Sequence, residues 1–208
     1  MTETMTDGPF EGLLKNHYRT IVADPPWGFM TRDKRLTLPQ RTRFGHYDTM
    51  TVDQIRALPI NEVCAKDAVL HMWVISSHVH HAYALAAAWG FEPKALGLVW
   101  VKTMKSNPEA PKMGMGFWFR QESEISLVFT RGKPPRTDKG VRQVIMEPAR
   151  EHSRKPDEAL PRFERLSAGP YLELFSRSDR EGWTPWGDEI GKFTGRKKPP
   201  KIDEDDLI

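Results

Sequence analysis

The stretch Thr20-Ile21-Val22-Ala23-Asp24-Pro25-Pro26-Trp27 constrains the rest of this chain more than any other. Ile21, Val22 and Ala23 suit a buried strand. Pro25 and Pro26 have no N–H to donate, so ladder pairing must stop there. The product is a stiff loop at a strand end, where open α/β sheets place their ligands. Asp24 is an acceptor-only carboxylate at neutral pH. The Pro25 carbonyl is a second acceptor on a restrained backbone. Two fixed acceptors side by side match a planar –NH2 group with its two donors. Trp27 adds a flat face on which a nucleobase could stack, worth roughly 1–3 kcal/mol per base. A plain proline-rich turn is the alternative.

Composition narrows the class. With 208 residues the chain is most simply one domain with room for a sizeable core. Hydrophobic content of 38% and charged content of 28% are ordinary for a soluble protein. No apolar run approaches the ~20 residues that span a bilayer. The N-terminus lacks the basic and apolar regions of a signal peptide, so a cytoplasmic location without membrane attachment is expected. Cys64 is the single cysteine, which removes an internal disulfide and a cysteine-based zinc site. A net charge of +3 and a pI near 9.0 permit a polyanionic partner.

Along the chain, residues 1–17 look irregular. Residues 28–46 form a long polar segment with Arg32, Lys34, Arg35, Arg41 and Arg43, read as a basic lid that meets phosphates or as a solvated loop. Thr51 and Gln54 have capping-box spacing, which predicts a short helix to about residue 58, stopped by Pro59. Residues 60–66 read as another helical turn or two, and residues 68–74 as a core strand. Residues 78–89 predict an alanine-rich helix closed by Gly90. His78, His80 and His81 lack the acidic or cysteine partner of a metal set, and no metal is expected. Residues 91–102 predict a strand, and 103–117 a flexible loop tipped by Phe117, Trp118 and Phe119. Arg120 and Glu124 have the spacing of a helical pair. Strands are expected at 126–130, 141–146 and 171–176, with a helix to residue 166 that Pro161 kinks or delays. Residues 192–208 read as a charged, disordered tail.

Alternating strands and helices give an α/β sheet. At this point a resemblance becomes visible. Asp24-Pro25-Pro26-Trp27 looks like the signature of amino-methyltransferases acting on adenine N6. More narrowly, the chain resembles the family named for the seventy-kilodalton subunit of the mRNA adenine methyltransferase, which has many bacterial and phage members. Supporting segments are His46-Tyr47-Asp48-Thr49-Met50, Leu70-His71-Met72-Trp73-Val74, Val99-Trp100-Val101-Lys102, His152-Ser153-Arg154-Lys155-Pro156-Asp157-Glu158 and Glu173-Leu174-Phe175-Ser176-Arg177. Their order and spacing carry the match over roughly residues 18–190.

The resemblance implies a Rossmann-like S-adenosylmethionine-dependent methyltransferase fold in residues 1–191, with permuted motif order: the catalytic motif precedes the cofactor motif. It implies catalytic roles for Asp24, Pro25, Pro26 and Trp27. It places Tyr47, Trp118 and Glu124 near the substrate, and Lys155, Glu173, Phe175, Arg177, Asp188 and Glu189 near the cofactor. Relatives also place an acid near the cofactor at about Asp7. Glu173-Leu174-Phe175 stands where many methyltransferases carry a glycine-rich turn. Asp188 and Glu189 replace an Asn-Gln pair of the relatives, and Asp179 and Arg180 a His-Asn pair.

The implied reaction is methyl transfer to adenine N6 in nucleic acid. Compact relatives without RNA-binding modules are mostly prokaryotic or viral, which favours DNA; a homodimer is open on this reading. Alternatives are an RNA adenine-N6 methyltransferase and a nucleic-acid-binding partner subunit without activity, although the latter carries an altered signature in relatives. A cytosine-N4 or protein-amide methyltransferase uses a related acid-proline motif, but the segments after Trp27 favour adenine. A zinc base deaminase needs a Cys-x-x-Cys pair that this chain lacks.

Overall fold

The computed structural model describes residues 3–28, 49–114, 116, 118–151 and 153–193. Strand β1, Tyr18–Ala23, lies between two parallel neighbours, β2 (Cys64–Val74) and β7 (Tyr171–Leu174). Central parallel strands are covered on both faces, so Ile21, Val22 and Ala23 are all buried. Beyond β2 lies antiparallel β5 (Ser123–Arg131), then β3 (Glu92–Met104) and β4 (Asn107–Pro111); β8 (Trp183–Trp186) flanks β7. Strand β6 (Val144–Pro148) pairs in parallel with β3.

The expected short helices form with shifted ends. Helix α1, Val52–Arg56, carries the complete capping box of Thr51 and Gln54. Helix α2 is the single turn Ile60–Val63, because β2 begins at Cys64 rather than after residue 67. Helix α3, Val79–Ala88, is led in by a 3-10 turn at Ser76–His78, and Gly90 follows it at φ 81°, a left-handed conformation that costs glycine little. Helix α4, Ala159–Leu166, has Pro161 in its first turn, where its missing N–H breaks no helical bond. Pro161 therefore marks the start and does not kink the helix. Among the described residues no helix is long and apolar enough to cross a membrane.

Two strands escaped the sequence. Strand β4 lies inside the segment read as a loop, and β8 lies where no element was expected. Both are sheet-edge strands containing proline, a residue tolerated only where one side of the strand needs no partner. Glu124 lies on β5, so its helical spacing from Arg120 has no structural counterpart.

The residues of β1 alternate between two apolar clusters. Ile21 and Ala23 join Leu70, Met72, Leu85, Trp89 and Phe129 on the α3 face. Val22 joins Trp73, Leu98, Trp100, Ile145 and Phe163 on the α4 face. The N-terminal segment, irregular as read, is nonetheless anchored: Phe10 is fully buried and packs edge-on against Trp186, 4.9 Å between ring centres. Asp7 on that segment is exposed. Burial pushes the Cys64 thiol up to about 12, which leaves it unreactive at neutral pH.

His71 of β2 is fully buried and stacks on Phe163 at 4.0 Å, and its two ring nitrogens have no hydrogen-bond partner among the described residues. Burial pushes the imidazole down from 6.5 to about 3. The unfolded chain therefore binds a proton that the native state refuses, and stability falls as pH drops from about 6.5 toward 3. The limiting slope for one such group is about 1.4 kcal/mol per pH unit. His71→Leu should lose this part of the acid sensitivity, seen as a flatter dependence of the urea midpoint on pH between 6.5 and 4.

Candidate active site

Period-two alternation directs the side chain after Ala23 toward the same face as Val22. Asp24 thus emerges on the α4 face, at the carboxyl end of β1. The turn behind it is tight. Trp27 N–H donates to the Pro25 carbonyl at 2.7 Å, and Met50 N–H donates to the Pro26 carbonyl at 3.1 Å. The Pro25 carbonyl, expected as an open acceptor, is partly engaged. A carbonyl has two lone pairs, so one remains and its direction is now set.

Trp27 departs from its expected role as an open stacking face. Its residue exposure is 4%, its indole N–H donates to the Trp73 carbonyl at 3.2 Å, and His78 lies 5.3 Å away. A large apolar ring with one donor is satisfied by burial plus a single carbonyl. Trp27 is therefore the floor under the Asp24 loop.

Three charged side chains from distant segments meet beside that loop. Lys155 Nζ lies 2.7 Å from Asp24 Oδ2 and 3.3 Å from Glu124 Oε2. Glu124 Oε1 lies 2.5 Å from Lys102 Nζ at the end of β3. The side chains of Lys155, Glu124 and Asp24 are 18%, 20% and 29% exposed, so solvent screens them weakly. Lys155 also lies 5.6 Å from the Trp73 ring centre, within cation–π range. For Asp24, burial outweighs the nearby Lys155 ammonium and raises the carboxyl above its ordinary value. For Glu124, burial acts the same way, but the two lysines together prevail and hold the carboxyl at about 2. The two carboxylates hold the Lys155 ammonium above its ordinary value despite its burial.

Glu173 of β7 sits opposite Val22 in register, hence on the same face as Asp24. It accepts the Ser176 hydroxyl at 2.8 Å; burial, with the Asp24 charge beside it, outweighs the lowering effect of that bond and leaves its carboxyl raised. Phe175 follows β7 at φ 61°, a left-handed conformation that costs a non-glycine residue about 1–2 kcal/mol. Its ring packs against Trp186 at 5.4 Å rather than into an open crevice. A Cβ at Gly187 would fall 2.8 Å from the Ser176 backbone, so the two turns touch only because that residue is glycine.

Arg177 Nε lies 2.7 Å from Glu189 Oε2, and Lys192 Nζ lies 2.5 Å from Glu189 Oε1. Arg177 and Arg154 both face the Phe193 ring, at 5.0 and 5.1 Å. Lys192 and Phe193 therefore belong to the folded unit rather than to the tail that the sequence assigned from residue 192. Asp188 is exposed beside Glu189. Trp118, at 96% exposure, and Phe119, at 85%, stand on the loop between β4 and β5. Tyr47, the five basic residues of the expected lid, His152 and residues 194–208 lie outside the described residues.

Of the expected site residues, the fold brings Asp24, Glu124, Lys155 and Glu173 to one edge of one sheet face. Lys102 completes the charged row and was not singled out. Its signal was present in the Val99-Trp100-Val101-Lys102 segment: a lone cation closing an apolar strand.

Strand order reverses between β1 and β7, since the chain leaves β1 toward β2 on one side and β7 toward β8 on the other. Charged groups at the carboxyl ends on both sides of such a switch point define a crevice enzyme of the α/β class. The MT-A70 family model matches residues 18–189, and the chain belongs to that methyltransferase family. The type II methyltransferase M.MunI from Mycoplasma sp. is 31% identical over 200 residues, covering 88% of this chain and 82% of that protein. The human N(6)-adenosine-methyltransferase catalytic subunit METTL3 is 30% identical over 177 residues, covering 83% of this chain but 28% of that protein. The probable N(6)-adenosine-methyltransferase MT-A70-like of Oryza sativa subsp. japonica is 30% identical over 180 residues, covering 85% of this chain and 24% of that protein.

Lys155→Met should leave Asp24 and Glu124 without their shared cation. A charged hydrogen bond of this kind contributes roughly 1.5–3 kcal/mol. Glu124, held below its ordinary 4.5, contributes stability above that pH and loses it as pH falls toward about 2. The deficit of Lys155→Met in urea unfolding should accordingly be largest at neutral pH and shrink on acidification below about 4.5.

Proposed function

We propose that the protein transfers a methyl group to the N6 amine of adenine in DNA, with S-adenosylmethionine as the donor. One observation carries this reading above the others: Asp24, fixed by the Pro25–Trp27 turn, sits at the switch-point crevice beside Lys155 and Glu173.

The donor's chemistry fits the charges available there. Its amino-acid end carries an ammonium and a carboxylate, and its ribose carries hydroxyls. Glu173 and Asp24 suit the ammonium, Lys155 the carboxylate, and Arg177 with Glu189 the ribose. The strand carrying Asp24 precedes the strand carrying Glu173 in sequence, which we read as the permuted motif order. When bound, S-adenosylmethionine supplies an electrophilic methyl group on a sulfonium.

Asp24 and the Pro25 carbonyl accept the two N–H bonds of the adenine amine. This draws the nitrogen lone pair out of conjugation with the ring and toward the methyl carbon. Positioning at ~3–3.5 Å contributes much of the rest. As the nitrogen becomes cationic, Asp24 is its nearest counter-charge, and the amine then loses a proton readily. The raised affinity of Asp24 for a proton allows it to receive that proton. In duplex DNA the adenine must leave the stack to reach this edge. The buried Trp27 then keeps the loop rigid rather than stacking on the base.

DNA is favoured because the chain spans 82% of the type II methyltransferase but only 28% of METTL3. An RNA substrate is the second reading, supported by the adenosine-methyltransferase relatives. Incubation with labelled S-adenosylmethionine and separate duplex DNA and RNA, followed by nucleoside digestion, should yield N6-methyladenine from DNA. Label only in RNA would reverse the substrate assignment.

Asp24→Asn keeps the size of the side chain but removes its charge. Losing one preorganised electrostatic contact of this kind costs ~10²–10³ in rate. Single-turnover transfer should fall by that factor in a variant whose circular dichroism is unchanged; near-wild-type transfer would sink the mechanism.

A further inference from the structure

We propose that Lys102 is a positioning residue for the transfer step: its ammonium occupies Glu124 and thereby keeps Lys155 on Asp24. The inference rests on the role given to Asp24 above.

Four charges alternate in sign along the α4 face at the carboxyl edge of the sheet. Lys102 closes β3, Glu124 opens β5, Lys155 precedes α4, and Asp24 follows β1. The separations are 2.5, 3.3 and 2.7 Å in that order. Lys102 is held on its backbone from both sides. Its N–H donates to the Glu122 carbonyl at 2.8 Å, and its carbonyl accepts the Lys112 N–H at 2.7 Å. Its ammonium lies 5.1 Å from the ring centre of Trp100, a buried neighbour on the same strand. The side chain is thus pre-aimed at Glu124, where an ordinary surface lysine would sample many rotamers.

The consequence follows from counting oxygens. Glu124 has two, and Lys102 takes Oε1, so only Oε2 faces Lys155. That contact, at 3.3 Å, is longer than the 2.7 Å from Lys155 to Asp24. Without the Lys102 ammonium, both Glu124 oxygens compete for Lys155 and draw it away from Asp24. The charged groups facing Asp24 are Lys155, Glu124 and Arg177, with Glu173 on the neighbouring strand. Those facing Glu124 are Lys102, Lys155 and, across Lys155, Asp24. Removing one cation from this set leaves three carboxylates less compensated, and Asp24 then keeps its proton to higher pH. A protonated Asp24 has lost the negative charge that the reacting amine needs. A lysine that merely anchored the β3–β4 hairpin would alter stability and leave the protonation of Asp24 unchanged.

The test follows the Asp24 carboxyl directly. Side-chain carboxyl carbon resonances of 13C-aspartate-labelled protein are titrated in wild type, Lys102→Met, Lys102→Gln and Lys102→Arg, with Asp24→Asn assigning the signal. Asp24 should titrate at higher pH in Lys102→Met and Lys102→Gln, and as in wild type in Lys102→Arg. Single-turnover transfer at neutral pH should fall about tenfold in the two neutral variants, the scale of coupling common within one ion-pair network. The acid limb of its pH profile should move upward in step. In a Glu124→Gln background Lys102→Met should change transfer by less than about twofold, because the link it acts through is gone. An unchanged Asp24 titration in folded Lys102→Met and Lys102→Gln would overturn the proposal. So would full additivity of Lys102→Met with Glu124→Gln. Absence of adenine methylation by wild type would instead count against the function proposed above, while the titration would still decide the role of Lys102.

Discussion

Lys155 places one ammonium between two carboxylates that stand 100 residues apart in the chain, and the candidate active edge depends on that shared cation. Asp24 follows β1 and Glu124 opens β5, with β2 between them. Strand spacing puts β1 and β5 roughly 10 Å apart. Neither acid reaches the other, and water alone would screen them poorly at this depth. A lysine entering from the loop before α4 spans the gap, with Trp73 of the intervening strand within cation–π distance. The attraction is mutual, but its effects differ. Glu124 has a second lysine and is held ionised, whereas Asp24 is left with a carboxyl raised by burial. Two carboxylates in one site are thus tuned apart, as acid–base chemistry requires.

The remainder of the fold directs these groups to one place. Parallel strands deliver their carboxyl ends to a common edge, and the reversal of strand order between β1 and β7 opens a crevice there. Residue parity then selects the face. Val22 and Glu173 are paired in register, Trp100 and Glu124 likewise, and Asp24 and Lys102 follow two residues after a buried partner on the same face. The turn after β7 takes a strained Phe175 through a left-handed conformation that glycine would adopt freely. Trp186 and Gly187 hold that turn in place, one by packing and the other by leaving room. The rim differs in kind. Glu189 takes Arg177 and Lys192 as its partners, which gives this part of the sheet edge an internally paired charge.

The sequence by itself determined the α/β class, the buried β1 strand, the capping box of α1 and the chemical character of the Asp24 loop. Each rests on residues adjacent in the chain: an apolar run, a Thr-to-Gln spacing, two prolines that remove donors. It also marked Glu124, Lys155 and Glu173 through a family resemblance rather than through any local signal. Tertiary structure decided the rest. Edge strands β4 and β8 contain proline and carry no alternation, because only their place at the sheet margin makes them strands. Trp27 looked like an open platform because sequence shows an aromatic beside an acid but not the Trp73 carbonyl that accepts its N–H. Lys102, 78 residues from Asp24 in the chain, could not be tied to it by spacing of any kind. Only the stacking of β3, β5, β2 and β1 in one sheet brings their charges into a single row.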